Sequence, residues 1–386
     1  MSLSRFWYRR LSTAVAGATA HSVSETAPNA EATITTAREI ARLRLVAQRV
    51  AGPGFATAAE TVCWLSAAQA QDYAGALTSV ALRTASGSRL AVEAALDAGA
   101  IVRSWPMRGT LHLVAAEDLP WMLRLLAPRV LASAAGRHAQ LGLDAATFDR
   151  ARRVTAQALA GGGQLRRAEL MTMWDAAGLS TAGQRGYHLL WHLAQTGIVC
   201  FGPTRGGEQL VVLVDDWIPH PRLLEREEAL GELALRYFRS HGPATIKDFI
   251  RWANLRVADA KAGLALARSR LAGTEFGGVE YFLDPQTSER LKACISEVRG
   301  IFLLPGFDEF MLGYADRSAA LPREFADRIV PGGNGMFRPT VISDGAVVGT
   351  WKHVGRGVQR SVSATPFRSF SADVLDAIAE RYSTLP

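Results

Sequence analysis

The stretch SAAQAQDYAGAL, residues 66 to 77, sets Gln69 and Gln71 one residue apart inside an alanine-rich, otherwise apolar segment. A carboxamide takes no proton at neutral pH and is a poor general base. It can hold a water molecule by donor and acceptor contacts and present an oriented dipole. In a continuous helix, positions i and i+2 lie about 200° apart, so the two amides could not face one substrate together. The pair needs an interrupted backbone, with a helix starting near Gln71 and bringing the partial positive charge of its N-terminus. The bland alternative is that both side chains cap backbone groups between helices.

Other polar groups compete for attention. In RGTLHLV, strand alternation puts Arg108, Thr110 and His112 on one face and Leu111 and Leu113 on the other, a polar stripe facing away from the core. That stripe suits a substrate channel, or His112 is a structural hydrogen-bonding partner. Asp308 and Glu309 in PGFDEF are neighbours on a predicted strand and point to opposite faces, so they form no paired-carboxylate site; capping or ordering a loop is their expected role. The clusters GGGQLRR and GGNGMF lack the Lys-Ser/Thr of a phosphate-binding loop and read as connectors. Cys63, Cys200 and Cys294 are far apart in apolar contexts, which offers neither a disulfide framework nor a zinc site with short ligand spacing. No metal and no cofactor is expected.

The elements that must position these groups repeat. A unit of helix, turn, second helix and two strands joined by a Gly-rich loop recurs, which is the grammar of a winged helix-turn-helix. The first copy has the helix after Ser88, closed by Gly99, then AIVRSWPMRGTLHLV as a strand pair and a trailing helix around DLPWMLRLLAPRVL. The second has LRRAELMTMWDAAG ended by Gly178, STAGQRGYHLLWHLAQTG capped by Ser180 and stopped by Gly197, and the wing IVCFGPTRGGEQLVVLV. The third runs GPATIKDFIRWANL, RVADAKAGLALARSRL and GTEFGGVEYFLD. In the remaining segment, IFLLPGFDEFMLGYADR reads as a buried strand and loop, and TVISDGAVVGTWKHV as a β-hairpin turning at Asp344-Gly345. The expected divisions are 1–31, a disordered tail or misplaced start, then 32–150, 151–220 and 221–298 as the three modules and 299–386 as a hairpin-bearing segment.

The chain has 386 residues, 48% apolar and 20% charged, ordinary for a folded protein. Basic residues number 43 against 36 acidic, a net charge of +7, and the basic side is almost all arginine. Arginine favours bidentate contacts with phosphate, which makes nucleic acid the first partner to test, although a GC-rich genome accounts for the same composition. Placement decides: from Ala346 to Ala372 there is no Asp or Glu, while Lys352, Arg356, Arg360 and Arg368 occur with His353. A hairpin carrying Trp351, Lys352 and His353 on its outgoing strand can enter a groove or clamp phosphates. No run approaches the ~18 apolar residues of a membrane span.

Taken in order, AAQAQDYAGAL, RGTLHLV, GPATIKDFIRWANL, LLPGFDEFMLGY and NGMFRPTVISDGAVVGTWKH resemble the bacterial winged-helix DNA glycosylases of the AlkZ and YcaQ type, over about residues 33 to 386. The resemblance implies an α+β chain of three tandem winged helices curved around a basic channel, and excision of N-alkylated purines, including unhooking of interstrand crosslinks. It also implies that Gln69-Ala70-Gln71 is the catalytic signature, similar to the Gln-x-Gln branch, Asp72 lying one position too late to supply the carboxylate of Gln-x-Asp members. It places a DNA-approaching hairpin at Thr340 to Val354. The expectation is a cytoplasmic, monomeric, monofunctional glycosylase acting on double-stranded DNA that carries alkylated purines. Its catalytic residues are Gln69 and Gln71, and Arg108, Thr110, His112, Trp351, Lys352, His353, Arg356 and Arg360 meet DNA. A non-enzymatic winged-helix regulator or damage-binding protein is the alternative.

Overall fold

Thr36 accepts a hydrogen bond from the Glu39 main chain and so caps α1 (Ala37–Ala47). The computed structural model describes residues 34–355 and 360–386; residues 1–31, read above as a tail, and Arg356 lie outside the described residues. One order of elements then recurs: helix, short strand, helix, helix, strand, strand. Its first instance is α2 (Ala58–Leu65), β1 (Ala68–Gln69), α3 (Tyr73–Ala81), α4 (Arg89–Asp97), β2 (Ile101–Met107) and β3 (Thr110–Ala115). After the long α5 (Leu119–Gln140) come α6 (Ala145–Leu159), β4 (Leu165–Arg166), α7 (Arg167–Ala176), α8 (Arg185–Gln195), β5 (Val199–Arg205) and β6 (Glu208–Leu213). The short α9 (Val214–Trp217) leads to α10 (Arg226–His241), α11 (Ile246–Ala253), α12 (Val257–Ala267), β7 (Ala272–Phe276) and β8 (Val279–Leu283), where a single bridge between Ala244 and Phe282 replaces the short strand.

Periodicity alone starts the first unit at Ser88, whereas the folded unit starts at α2 and holds the Gln-x-Gln stretch between its first two helices. A strand of two residues leaves no alternation to read. The helix stops do follow the sequence: Gly99, Gly178 and Gly197 take φ of 71°, 75° and 75°, left-handed positions at the ends of α4, α7 and α8. Ser180 differs. It does not cap α8, which begins at Arg185 behind Gln184; its hydroxyl accepts from Ala182 N at 3.4 Å within the preceding turn.

The strand pairs of the first and second units merge into one six-stranded sheet in the order β1-β3-β2-β5-β6-β4, while β7 and β8 form a separate ribbon. Each unit has its own apolar centre, Val62, Leu77 and Leu113 in the first and Trp174, Leu189 and Val211 in the second. The third shares a core with α5 built on Trp121, Tyr237 and Trp252.

The last segment contains α13 (Thr287–Ala293), α14 (Ile295–Val298), β9 (Ile301–Leu304), α15 (Glu309–Leu312), α16 (Ala326–Ile329), β10 (Thr340–Ser343), β11 (Ala346–Val354), β12 (Ser361–Pro366) and α17 (Ala372–Ser383). The sheet order is β12-β11-β10-β9. α1 packs into this segment through Leu45 and Val46 against Phe302, Phe310 and Ile342. The turn at Asp344-Gly345 has φ of 51° and 81°, both positive as a type I′ turn demands. Arg42 grips the Asp344 carboxylate with two hydrogen bonds of 2.7 and 2.6 Å, and a Cβ on Gly345 would come within 3.1 Å of the Arg42 nitrogen. That end of the hairpin is therefore docked on α1.

Candidate active site

Ser66 ends α2 with φ 65°, and the chain straightens into β1 at the edge of the sheet. Gln69 pairs with His112 and Ala68 with Leu113, and the Ala70 main chain donates to Leu111 O at 2.7 Å. Asp72 then accepts from Gly75 N at 3.1 Å and caps α3, which begins at Tyr73, close to the helix start expected near Gln71. The interruption is a strand edge and a bend. β1 ends at Gln69, and Gln71 lies in the bend that leads to α3. Ala70 is fully buried, Gln69 half-buried and Gln71 exposed. Gln71 Oε1 accepts from Leu111 N at 3.5 Å, while Gln69 Oε1 has no hydrogen-bond partner among the described residues.

Side chains from two elements hold this backbone. Arg103 of β2 donates to Ala70 O from Nε and Nη2 at 3.0 and 2.7 Å and to Gln209 Oε1 at 2.8 Å, with Tyr73 beside its guanidinium. Burial lowers its pKa to about 10, which leaves it a cation at neutral pH. Glu309, the first residue of α15, accepts the Gln69 main-chain N–H on Oε1 at 3.2 Å. Its Oε2 takes Trp252 Nε1 at 2.9 Å and lies 3.4 Å from His241 Nε2.

Glu309 is 1% exposed. Burial by itself raises its pKa, but the hydrogen bond and charge of His241, with the charge of Arg108, outweigh burial and bring it to about 2. Asp308 is the helix cap, accepting from Phe310 N at 2.9 Å, and forms a two-pronged pair of 2.8 Å contacts with the fully buried Arg83 while accepting from Ser79 at 2.6 Å. Loop ordering by this pair was legible from PGFDEF. Opposite-face placement was not, because the two residues open a helix and are both enclosed.

The polar stripe of β3 is also enclosed. His112 is fully buried and Leu111 is only partly so, the reverse of a stripe facing solvent, because Trp252 of α11 and Glu309 of α15 close over it. Arg108, at φ 56°, donates to the Trp252 carbonyl and from Nη2 to His112 Nε2 at 2.9 Å. Since a guanidinium only donates and a carbonyl only accepts, His112 carries its proton on Nδ1 and gives it to Thr110 O at 2.8 Å. Burial, then the Arg108 charge, push its pKa down to about 3. His112 is thus a neutral structural link, withdrawn from any phosphate. Thr110 is half-buried, and its hydroxyl has no partner among the described residues.

The basic group near the C-terminus divides. Trp351 is 5% exposed and donates from Nε1 to Leu304 O at 2.9 Å, so most of it packs in the core beneath α17 while one edge lines the recess that follows. Lys352, His353 and Arg360 are exposed. With Asp72, Gly75 and Arg89 they line a recess of about 230 Å³ beside the start of α3. Arg360 Nε donates to His353 Nδ1 at 2.9 Å; burial and the charges of Arg360 and Arg89 lower the His353 pKa, which favours its neutral form. The docked Asp344-Gly345 turn corrects the expectation for the hairpin: the end of β10–β11 at residues 344–345 faces α1, and the basic residues sit where β11 runs toward β12. A larger recess of about 980 Å³ is lined by Trp64, Trp217 and Arg239 among others, and neither recess is lined by Gln69 or Gln71.

Among the described residues, no group of three or more His, Cys, Asp or Glu side chains is arranged to hold a metal ion, and no helix is long and apolar enough to cross a membrane. The cysteines are free, and burial pushes the Cys200 thiol up to about 12.

A mixed helix-and-sheet body with this order of elements has known counterparts. The family model for DNA glycosylase AlkZ-like proteins matches residues 62–385. The interstrand DNA cross-link repair glycosylase of Streptomyces sahachiroi is 28% identical over 324 residues, 81% of this chain and 85% of that protein. The solved structure of Streptomyces sahachiroi DNA glycosylase AlkZ superposes with a TM-score of 0.76 at 25% identity, covering 91% of this chain and 96% of that one. The chain belongs to the AlkZ-like DNA glycosylase family.

Proposed function

We propose that this protein hydrolyses the N-glycosidic bond of cationic N-alkylated purines in duplex DNA, N7-alkylguanine and N3-alkyladenine among them, and unhooks interstrand crosslinks of that chemistry. The three recurring units act as winged-helix modules around a basic channel, and the chain works as a monofunctional glycosylase and as a monomer. The carrying observation is the interrupted backbone at Gln69–Gln71, a strand edge and a bend immediately before α3, in place of a continuous helix.

The chemistry follows from charge. An N7- or N3-alkylated purine is already positive and leaves as a neutral base, so no acid is needed. What remains is to place a water beside an oxocarbenium-like sugar and orient dipoles toward it. Gln69 Oε1, without a protein partner, accepts a hydrogen bond from the water, and the exposed Gln71 holds the same water. Asp72 sits on the N-terminus of α3 and offsets the positive end of the helix, which would otherwise oppose a sugar cation. Lys352, Arg360 and Arg89 supply phosphate contacts around the recess.

Incubation of the protein with duplex DNA containing N7-methylguanine tests the reading. Free 7-methylguanine should appear with the strand left intact, and uracil or hypoxanthine, whose departure demands a proton, should be released far more slowly. No release of 7-methylguanine would remove the proposal.

A further inference from the structure

Two amides can steer a water, but they carry no formal charge with which to favour a cation over its neutral precursor. Asp72, the carboxylate next to them in sequence, is exposed, and one of its oxygens is occupied with Gly75 N. The other anion beside the pair comes from a different part of the chain. Glu309 Oε1 lies 3.2 Å from the Gln69 nitrogen, a contact that fixes the main chain from which the Gln69 amide projects.

The partners of Glu309 are unequally distributed between its oxygens. Oε1 faces β1, while Trp252 Nε1 and His241 Nε2 are on Oε2, at 2.9 and 3.4 Å. Arg108 reaches this cluster through the Trp252 carbonyl and through His112, whose ring is neutral, and Arg251 acts on it at longer range through Arg108. The negative end of the cluster is thus the one turned to Gln69, and its cations stand behind or across a neutral ring. In a dry interior such a charge is weakly screened.

The geometry points to Glu309 as a positioning residue for Gln69 and as the anion of the site, holding the strand edge in register and setting a negative field under the position where the sugar becomes positive. It does not touch substrate. It remains ionised because its hydrogen bonds and the neighbouring positive charges outweigh the burial that opposes it. The inference rests on the glycosylase reading above and names the residue that gives that site its preference for positive charge.

The test compares two DNA duplexes that cannot be cleaved. One carries a protonated pyrrolidine in place of a deoxyribose, a mimic of the sugar cation; the other carries a neutral tetrahydrofuran. The quantity read is the ratio of their dissociation constants. The wild-type protein should prefer the pyrrolidine duplex, and Glu309→Gln, which keeps the volume and removes the charge, should reduce that preference roughly tenfold while leaving tetrahydrofuran binding unchanged. Asp72→Asn should keep the preference. A purely structural role would weaken both duplexes together, so an unchanged ratio in Glu309→Gln overturns the inference, as does a ratio that collapses only in Asp72→Asn.

Melting of Glu309→Gln is followed alongside. Should it not fold, Trp252→Phe decides, because that variant keeps the carboxylate and removes one partner: a retained preference supports the assignment and a lost one overturns it. Release of 7-methylguanine by the wild type separates the two levels. Without it the proposed function falls, whereas an active wild type with an unaltered ratio in Glu309→Gln removes this inference alone.

Discussion

The amide edge and the PGFDEF loop touch each other and are built on opposite rules. Residues 69 to 71 carry neutral side chains at the end of a two-residue strand and in the bend after it, with Gln71 in solvent. Residues 308 and 309 carry two carboxylates that are 2% and 1% exposed and fully occupied by partners. Groups that meet a varied and bulky substrate are inexpensive to expose when uncharged. Groups that must not move are locked by charge, because breaking a buried pair leaves an uncompensated ion. The difference teaches that the reactive surface of this site is soft and its support is stiff.

The comparison breaks most violently at the support. Asp308→Ala strands Arg83, which is fully buried, and should destabilise the fold by about 3–5 kcal/mol, read as the free energy of urea unfolding. A loss under 1 kcal/mol would mean the pair is not the lock described here.

A second, smaller effect comes from protons. The folded protein refuses a proton at His112 until about pH 3, whereas the unfolded chain accepts it near 6.5. Glu309 behaves likewise between its ordinary 4.5 and about 2. Both folded values are depressed, so the unfolded state binds more protons in these windows and stability falls as pH drops from 6.5 to 3, with a further loss below 4.5. Urea midpoints measured from pH 7 to pH 4 should decline steadily; a flat series contradicts the buried neutral histidine.

At the soft side, Gln71→Asp places a carboxylate in solvent, so stability should change by less than about 0.5 kcal/mol. Excision should acquire an acid limb near pH ~4 that the wild type lacks. The smallest effect belongs to the recess: Lys352→Ala should lower the salt dependence of DNA binding by about one phosphate contact and leave the rate of base release at saturating protein unchanged.

How far the sequence reaches into this account depends on the range of the interactions. The start of α3, the glycine stops of α4, α7 and α8 and the Asp344-Gly345 turn are governed by a few consecutive residues and could be read directly. So could the proximity of the two glutamines, once a helix through both was excluded by its period. What escaped was depth. Alternation separates the faces of β3 but does not say that α11 and α15 cover the polar one, so His112 became a groove residue on paper and a buried neutral link in the fold. The depth of Trp351 is hidden for the same reason: it alternates correctly with its exposed neighbour Lys352, and the helix beneath which it packs lies beyond residue 371. Glu309 reads in the sequence only as a loop-ordering residue, and its partner, the Gln69 main chain, is 240 positions away. No local pattern links them.

The central claim is that two uncharged amides are sufficient reacting groups once the lesion itself is cationic. Single-turnover release of 7-methylguanine by wild type, Gln69→Ala and Gln71→Ala, each shown to melt and to bind undamaged DNA as the wild type does, tests it most directly. Each substitution should slow release roughly 100-fold or more, the scale of removing one preorganised hydrogen-bonding group from a reacting centre. Release by the Gln69→Ala/Gln71→Ala double variant at the wild-type rate would contradict it.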